Sequence, residues 1–167
     1  MKSESEHRNP IKTDHLVVIN GLDEDDAKVA YQAYRLGTLP WKSIKKMDPQ
    51  EFVLSMDEFI QNNYDLSWSI KKDGQTLLIL FGKDNGKFII LGDVIWWPKT
   101  TNRQRLQSVA AVLKEIRKIK VGLIEADYQY KRFYEILCNH KILRRVGSLY
   151  DTDSPGSRTT FFQTRAE

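Results

Sequence analysis

The sequence has a single cysteine, Cys138, among its 167 residues. One thiol cannot close an internal disulfide, so the fold must rest on packing, and a reducing, cytoplasmic setting is expected. The three histidines, His7, His15 and His140, stand at no metal-ligand spacing with that cysteine, and no metal is expected. Long apolar runs are missing as well. The longest, such as Thr76–Phe81 and Phe88–Leu91, fall far short of the roughly 20 residues that span a bilayer. The opening stretch MKSESEHRNPIK is polar throughout, which argues against a secretory leader. There is no internal repeat and no low-complexity segment.

What is present suits one compact domain with a single core, since 41% of the residues are hydrophobic and 11% aromatic. Residues 1–13 are expected to form a flexible polar tail and 14–167 the domain. The net charge of +4 is modest but unevenly spread. Lys99–Lys120 holds seven basic residues against Glu115 alone, whereas Asp23–Asp26 is wholly acidic. A positive stripe of this kind attracts nucleic acid, an acidic partner or a phosphorylated cofactor, and it is equally what a solvated helix face looks like.

Along the chain, the β-branched run HLVVIN leads through Gly21 to Asp23, which can cap a helix carrying Ala27, Ala30, Tyr31 and Tyr34. Asp48-Pro49-Gln50-Glu51 is a second helix start, followed by Phe52, Val53, Met56, Phe59 and Ile60 at helical spacing. The period then drops to two. Leu66, Trp68 and Ile70 alternate with polar residues up to Asp73-Gly74, a tight-turn pair, and TLLILF and KFIILGDVIWW complete three antiparallel strands. Gly92 within the third marks a bulge or a close backbone approach. A basic helix follows with Leu106, Val109, Ala110, Leu113 and Ile116 on its buried stripe. Then come the strand VGLIEA, a helix with Tyr130, Phe133, Tyr134 and Leu137, a strand over Val146–Tyr150, the loop TDSPGSR and a final strand TTFFQTR. The sum is an α+β domain whose mixed, mostly antiparallel sheet has about seven strands and four flanking helices.

This order resembles the Gcn5-related N-acetyltransferase (GNAT) family, and ADYQYKRFYEILCNHKILRRVGSLYD carries the likeness most strongly, with its Phe-Tyr-Glu step and Arg-x-Gly strand. In that family the loop after the fourth strand reads Gln or Arg, two residues, Gly, one residue, Gly or Ala, and its amides receive the diphosphate of coenzyme A. Glycine permits close approach to the positive end of a helix. With Arg103 in the first slot, Leu106 falls where the first glycine belongs and Ser108 at the small position. The resemblance implies cofactor contacts along Asn102, Arg103, Arg105, Leu106, Gln107 and Ser108, and from Ile95, Trp96 and Trp97. The two tryptophans face opposite sides of their strand. It also implies Tyr134 as the acid that protonates the departing thiolate, a backbone N–H near Ile95 as the carbonyl partner, and Asp93 or Glu125 as the base. Each has a structural alternative: Tyr134 lies on a packing stripe, Asp93 can cap a bulge, and Glu125 can pair with a basic neighbour.

The leucine at the glycine slot leads to the expectation that acetyl-CoA chemistry has been lost and no cofactor binds. The chain would then act as a structural or assembly protein, similar to small internal virion proteins of tailed bacteriophages, with virion or host proteins as partners. The alternative is an active N-acetyltransferase that uses acetyl-CoA through a divergent loop. A third reading takes nucleic acid as the partner of the basic helix Arg103–Lys120.

Overall fold

The computed structural model describes residues 10–40, 46–126, 130–150 and 158–166. Within them the elements run β1 (Val17–Asn20), α1 (Glu24–Arg35), α2 (Pro49–Asn63), β2 (Leu66–Lys72), β3 (Gln75–Asp84), β4 (Phe88–Trp96), α3 (Asn102–Ile116), β5 (Val121–Ala126), α4 (Lys131–Asn139), β6 (Leu143–Tyr150) and β7 (Arg158–Thr164). The strands form one sheet in the order β1-β2-β3-β4-β5-β7-β6. Only β4 and β5 run parallel; the other neighbours are antiparallel. This is the α+β domain expected. β6 starts three residues before the expected Val146, and the turn-rich loop ahead of β7 falls almost wholly outside the described residues.

Local chemistry sets the element ends. Asp23 accepts from the Asp26 amide while Asp26 accepts from the Asp23 amide, which closes a capping box on α1. Asp48 accepts from the Glu51 amide at the start of α2, with Pro49 in the first turn. Asp73 and Gly74 both take positive φ, +49° and +78°, as a two-residue turn between β2 and β3 demands.

The sheet is covered on both faces, which is why TLLILF reads as an unbroken apolar run. Leu78 and Leu80 face α3 and α4, together with Trp68, Ile70, Val109, Leu113 and Leu137. Ile79 and Phe81 face the other way, into a smaller cluster with Ala30, Ala33, Phe52 and Met56 from α1 and α2. Packing begins ahead of the expected domain boundary. Ile11 rests against the larger cluster, and Lys114 donates to the Thr13 hydroxyl; the first nine residues of the expected tail lie outside the described residues.

One polar cluster is buried beneath the start of α1. The Asp26 carboxylate, 1% exposed, accepts from the hydroxyls of Ser69 and Thr76 and lies 3.7 Å from the Lys71 ammonium. Lys71 also bonds Asp23, so a single cation ties two residues of the cap to β2. Its ammonium and the Asp26 amide pull the Asp23 carboxyl down to about 2.

Candidate active site between β4 and β5

The sheet opens where a bulge meets a parallel junction. Leu80 pairs with Val94 but Gly82 with Leu91, so Phe81 alone opposes both Gly92 and Asp93. The extra residue inverts the alternation of β4. Before it, Ile89 and Leu91 face α3; after it, Val94 and Trp96 do, and Ile95 turns to the α1–α2 cluster. β5 pairs with β4 only from Phe88–Val121 to Leu91–Ile124. Past that point the two strands part.

The gap is a cleft of about 360 Å³. Gly92, Asp93, Val94 and Trp96 line its β4 side, Glu125 and Ala126 its β5 side, Asn102 and Arg105 the start of α3, and Tyr130, Phe133 and Tyr134 the start of α4. A narrow extension of about 40 Å³ reaches Leu80 and Leu113 beneath Tyr134. Aromatic rings build the α4 wall: Phe133 meets Trp96 and Tyr134 edge-on, and Tyr134 leans on Phe162 with centroids 5.6 Å apart.

The bulge is held by Tyr64, which follows α2. Its ring passes over Gly92 so closely that a Cβ there would lie 2.3 Å from a ring carbon. Its hydroxyl donates to Asp93 Oδ2 at 2.7 Å and accepts from the Asp93 amide at 3.2 Å. Burial, reinforced by the Asp93 carboxylate, pushes the Tyr64 hydroxyl up to about 12, so it stays a donor at neutral pH. Sequence reading missed Tyr64. The signal was Gly92, which announced a close approach without naming what approaches.

Of the residues expected at the cofactor, Trp96, Asn102 and Arg105 line the cleft. The Arg105 guanidinium lies 5.1 Å from the centre of a Trp96 ring, and its Nε donates to the Thr100 hydroxyl at 2.9 Å. The remaining residues expected at the cofactor lie away from the cleft lining. Ile95 is fully buried on the opposite face. Its amide is turned away too: Trp97 N–H donates to the Leu77 carbonyl, so Ile95, two residues earlier and paired with Ile79, also bonds β3. The amides that point toward β5 are those of Val94 and Trp96. Trp97 lines a different cavity, of about 650 Å³, beside α1. Leu106 packs against the larger core cluster, because the helical stripe claims its side chain; its bulk therefore does not obstruct the cleft. Ser108 is fully buried and donates to the Gln104 carbonyl. Arg103, exposed, and Gln107, half-buried, are not among the cleft's lining residues.

The amides at the start of α3 are partly spoken for. Thr101 accepts from the Gln104 amide, and the Gln104 side chain accepts from the Thr101 amide. The amides of Asn102 and Arg103 remain as first-turn donors without an intrahelical acceptor. The basic stripe expected along Lys99–Lys120 is discontinuous: Lys118 pairs with Glu115, Lys120 with Asp84, and Arg105 lies on Trp96. Among the described residues no helix is long and apolar enough to cross a membrane.

No protein-family model matches the chain, and no curated protein matches it in sequence. Solved structures do match. A probable acetyltransferase of the GNAT family from Chromobacterium violaceum superposes with a TM-score of 0.64 at 14% identity, over 92% of this chain and 84% of that one. The fold is that of the GNAT acetyltransferases. An aminoglycoside 6'-N-acetyltransferase from Enterococcus faecium gives 0.58 at 12% identity, covering 89% and 96% of the two chains. A putative acetyltransferase from Salmonella typhimurium, solved with acetyl-CoA, gives 0.56 at 13% identity, covering 91% and 94% of the two chains.

The cleft's residues suit an acyl-CoA in their chemistry. Aromatic and apolar side chains form one wall, Arg105 adds a cation beside Trp96, and the Val94 and Trp96 amides face inward from β4. The diphosphate would rest on Arg105, Asn102 and the two remaining α3 amides rather than on a glycine loop.

Proposed function

We propose that this chain is an N-acetyltransferase that takes acetyl-CoA in the β4–β5 cleft and passes the acetyl group to an amine. The observation that carries the reading is the open gap beyond Leu91–Ile124, in which one aromatic wall, two carboxylates and inward-facing β4 amides meet. The thioester supplies the activated acyl carbon. Val94 and Trp96 N–H groups polarise its carbonyl, Asp93 and Glu125 draw in the acceptor as an ammonium and take up its proton, and Tyr134 returns a proton to the sulfur. Tyr64 holds Asp93 in place.

The test is calorimetric and thermal titration with acetyl-CoA, followed by thiol release with a panel of primary amines. A ligand at a hundred times its Kd stabilises the folded state by about 2.7 kcal/mol, a rise in melting temperature that is easily read. No rise at millimolar acetyl-CoA, with no thiol release, removes the reading.

A second reading has two observations in its favour. The capping box at Thr101 and Gln104 occupies amides at the helix start, and Arg105 is engaged by Trp96 and Thr100. On that reading catalysis has been given up and the fold serves as an assembly or interaction protein, as in a virion. It expects no coenzyme binding and a stable complex with another protein.

A further inference from the structure

The two carboxylates of the cleft lie on one face of the sheet. Ile124 and Ala126 both pack into the larger core cluster, so Glu125 between them points to the opposite face, the one that α1 and α2 cover further along the sheet. The Asp93 carboxylate is on that face too. It meets the hydroxyl of Tyr64, whose ring stacks on Phe81 in the α1–α2 cluster. The two groups come from different strands and flank the gap beyond Leu91–Ile124, with Trp96, Phe133 and Tyr134 lining its other side.

No cation neutralises either group among the described residues. Glu125 is exposed and makes no hydrogen bond or ion pair there, and the Asp93 side chain bonds Tyr64 alone. Arg105 is the one cation among the residues lining the cleft, and it lies against Trp96 and bonds Thr100, at the start of α3. The acceptor therefore enters between two negative groups that have no counter-charge of their own.

This pattern selects among amines. The attacking nitrogen is neutral, so one carboxylate takes up its proton and the other still faces the acceptor. A monoamine leaves that second carboxylate unanswered. An amino acid brings its own carboxylate into the same field, which both groups repel. A second ammonium on the acceptor pairs with it, and the aromatic lining favours cations as well.

The two carboxylates also differ in how they are held. Asp93 shares a peptide unit with the Val94 N–H that faces β5, and Tyr64 fixes its side chain. Glu125 has neither restraint. Resting on the reading of the cleft as an acetyl-transfer site, we propose that its acceptor is an aliphatic diamine, with Asp93 serving the amine that reacts and Glu125 binding a second ammonium that does not. Asp93 takes one proton from the reacting ammonium. As the N–C bond forms and the C–S bond breaks, Tyr134 protonates the sulfur and recovers the proton that the new amide nitrogen sheds. The second ammonium stays charged throughout.

The experiment compares 1,4-diaminobutane, butylamine and 4-aminobutanoate, which share a carbon chain and differ in the charge at its far end. Each is titrated calorimetrically into the full chain, alone and with coenzyme A, and each is assayed for thiol release from acetyl-CoA. The diamine should bind about fivefold or more tightly than the monoamine and exceed it similarly in kcat/KM, with the amino acid poorest of the three. Added salt should shrink the preference, because Glu125 is exposed. Glu125→Gln should bring diamine and monoamine level, whatever it does to the rate they share, while Glu125→Asp should keep part of the difference. Both variants should melt close to the parent. Equal affinity and equal kcat/KM for diamine and monoamine overturn the proposal and leave acetyl transfer standing. A diamine preference that survives Glu125→Gln overturns it as well, as does absence of binding and turnover with all three compounds. Diamine binding that depends on Glu125, with no thiol release from any amine, supports the second-ammonium site and removes acetyl transfer instead.

Discussion

The Tyr64 hydroxyl donates to the Asp93 carboxylate at 2.7 Å while its ring covers Gly92, so one side chain from the end of α2 fixes both the shape of the β4 bulge and the direction of a cleft carboxylate. Two changes separate these roles. Gly92→Ala drives a Cβ into the ring and should cost about 2–3 kcal/mol, because ring and bulge cannot both stay in place. Tyr64→Phe keeps the ring and removes only the bond to a charged group, and should cost about 1–2 kcal/mol. Urea denaturation of the two variants checks the order; equal costs would show that the ring's approach to Gly92 does not constrain the strand.

The same pair predicts an alkaline signature. Tyr64 titrates near 12 in the folded protein against 10 unfolded, so the folded state holds its proton more tightly. That contribution is complete below pH 10 and is lost as pH rises from 10 to 12. Lysines and other tyrosines titrate there as well, so the readout is the difference between parent and Tyr64→Phe. The stability gap between them should narrow from pH 9 to pH 11.

At the start of α1 the sign reverses. Asp23 is held at about 2 by Lys71, below its ordinary 3.8, so its contribution is present above pH 4 and lost as pH falls toward 2. Lys71 is held above its ordinary range: burial opposes its charge, but the bond to Asp23 and the nearby Asp26 outweigh burial. Asp23→Asn should therefore flatten the acid limb of the stability profile between pH 4 and 2. Asp26→Ala is the harsher change. It leaves two buried hydroxyls without their acceptor and Lys71 with Asp23 alone, and should cost about 2–4 kcal/mol in chemical denaturation.

Much of this fold is legible from local rules, because the deciding chemistry lies within a few residues in the chain. Asp23, Asp48 and Asp73-Gly74 announce two helix starts and a turn by side-chain type alone, and each stands where expected. The site is less legible, because it depends on alternation after an irregularity. The resemblance points to an amide near Ile95, and only the pairing on either side of the Gly92–Asp93 bulge shows that the amides of Val94 and Trp96, not that of Ile95, face β5. Leu106 reads both as the occupant of the glycine slot and as part of the buried helical stripe, and its side chain packs with the stripe. A residue's slot in a loop pattern does not fix its direction once the helix has already begun at Asn102 and its apolar stripe needs that side chain. Tyr64 was unreadable, since nothing within the sequence links it to a strand 28 residues on.

The capping box offers a test of whether α3 can still grip a diphosphate. Thr101→Ala removes the side chain that occupies the Gln104 amide, and as an N-cap loss it should lower stability by about 1 kcal/mol. It also exposes one more N–H at the positive end of the helix. If the cleft takes acetyl-CoA through these amides, affinity for the ligand should rise while the melting temperature of the free protein falls. Affinity falling in step with stability would place the grip on side chains alone.

On the proposed mechanism Tyr134 is the residue to test, because its ring and its hydroxyl can be probed apart. The ring is pinned between Phe133 and Phe162, so Tyr134→Phe should preserve the wall and leave stability within about 1 kcal/mol of the parent. Loss of a general acid costs typically 10²–10⁴-fold, so kcat should drop by about a hundredfold or more with KM for acetyl-CoA little changed. The pH–rate profile should also lose the alkaline fall that marks deprotonation of the acid. Tyr134→Ala, by contrast, removes the wall and should raise KM as well. A Tyr134→Phe enzyme that keeps its kcat and its alkaline limb would reduce Tyr134 to packing and leave solvent to protonate the thiolate.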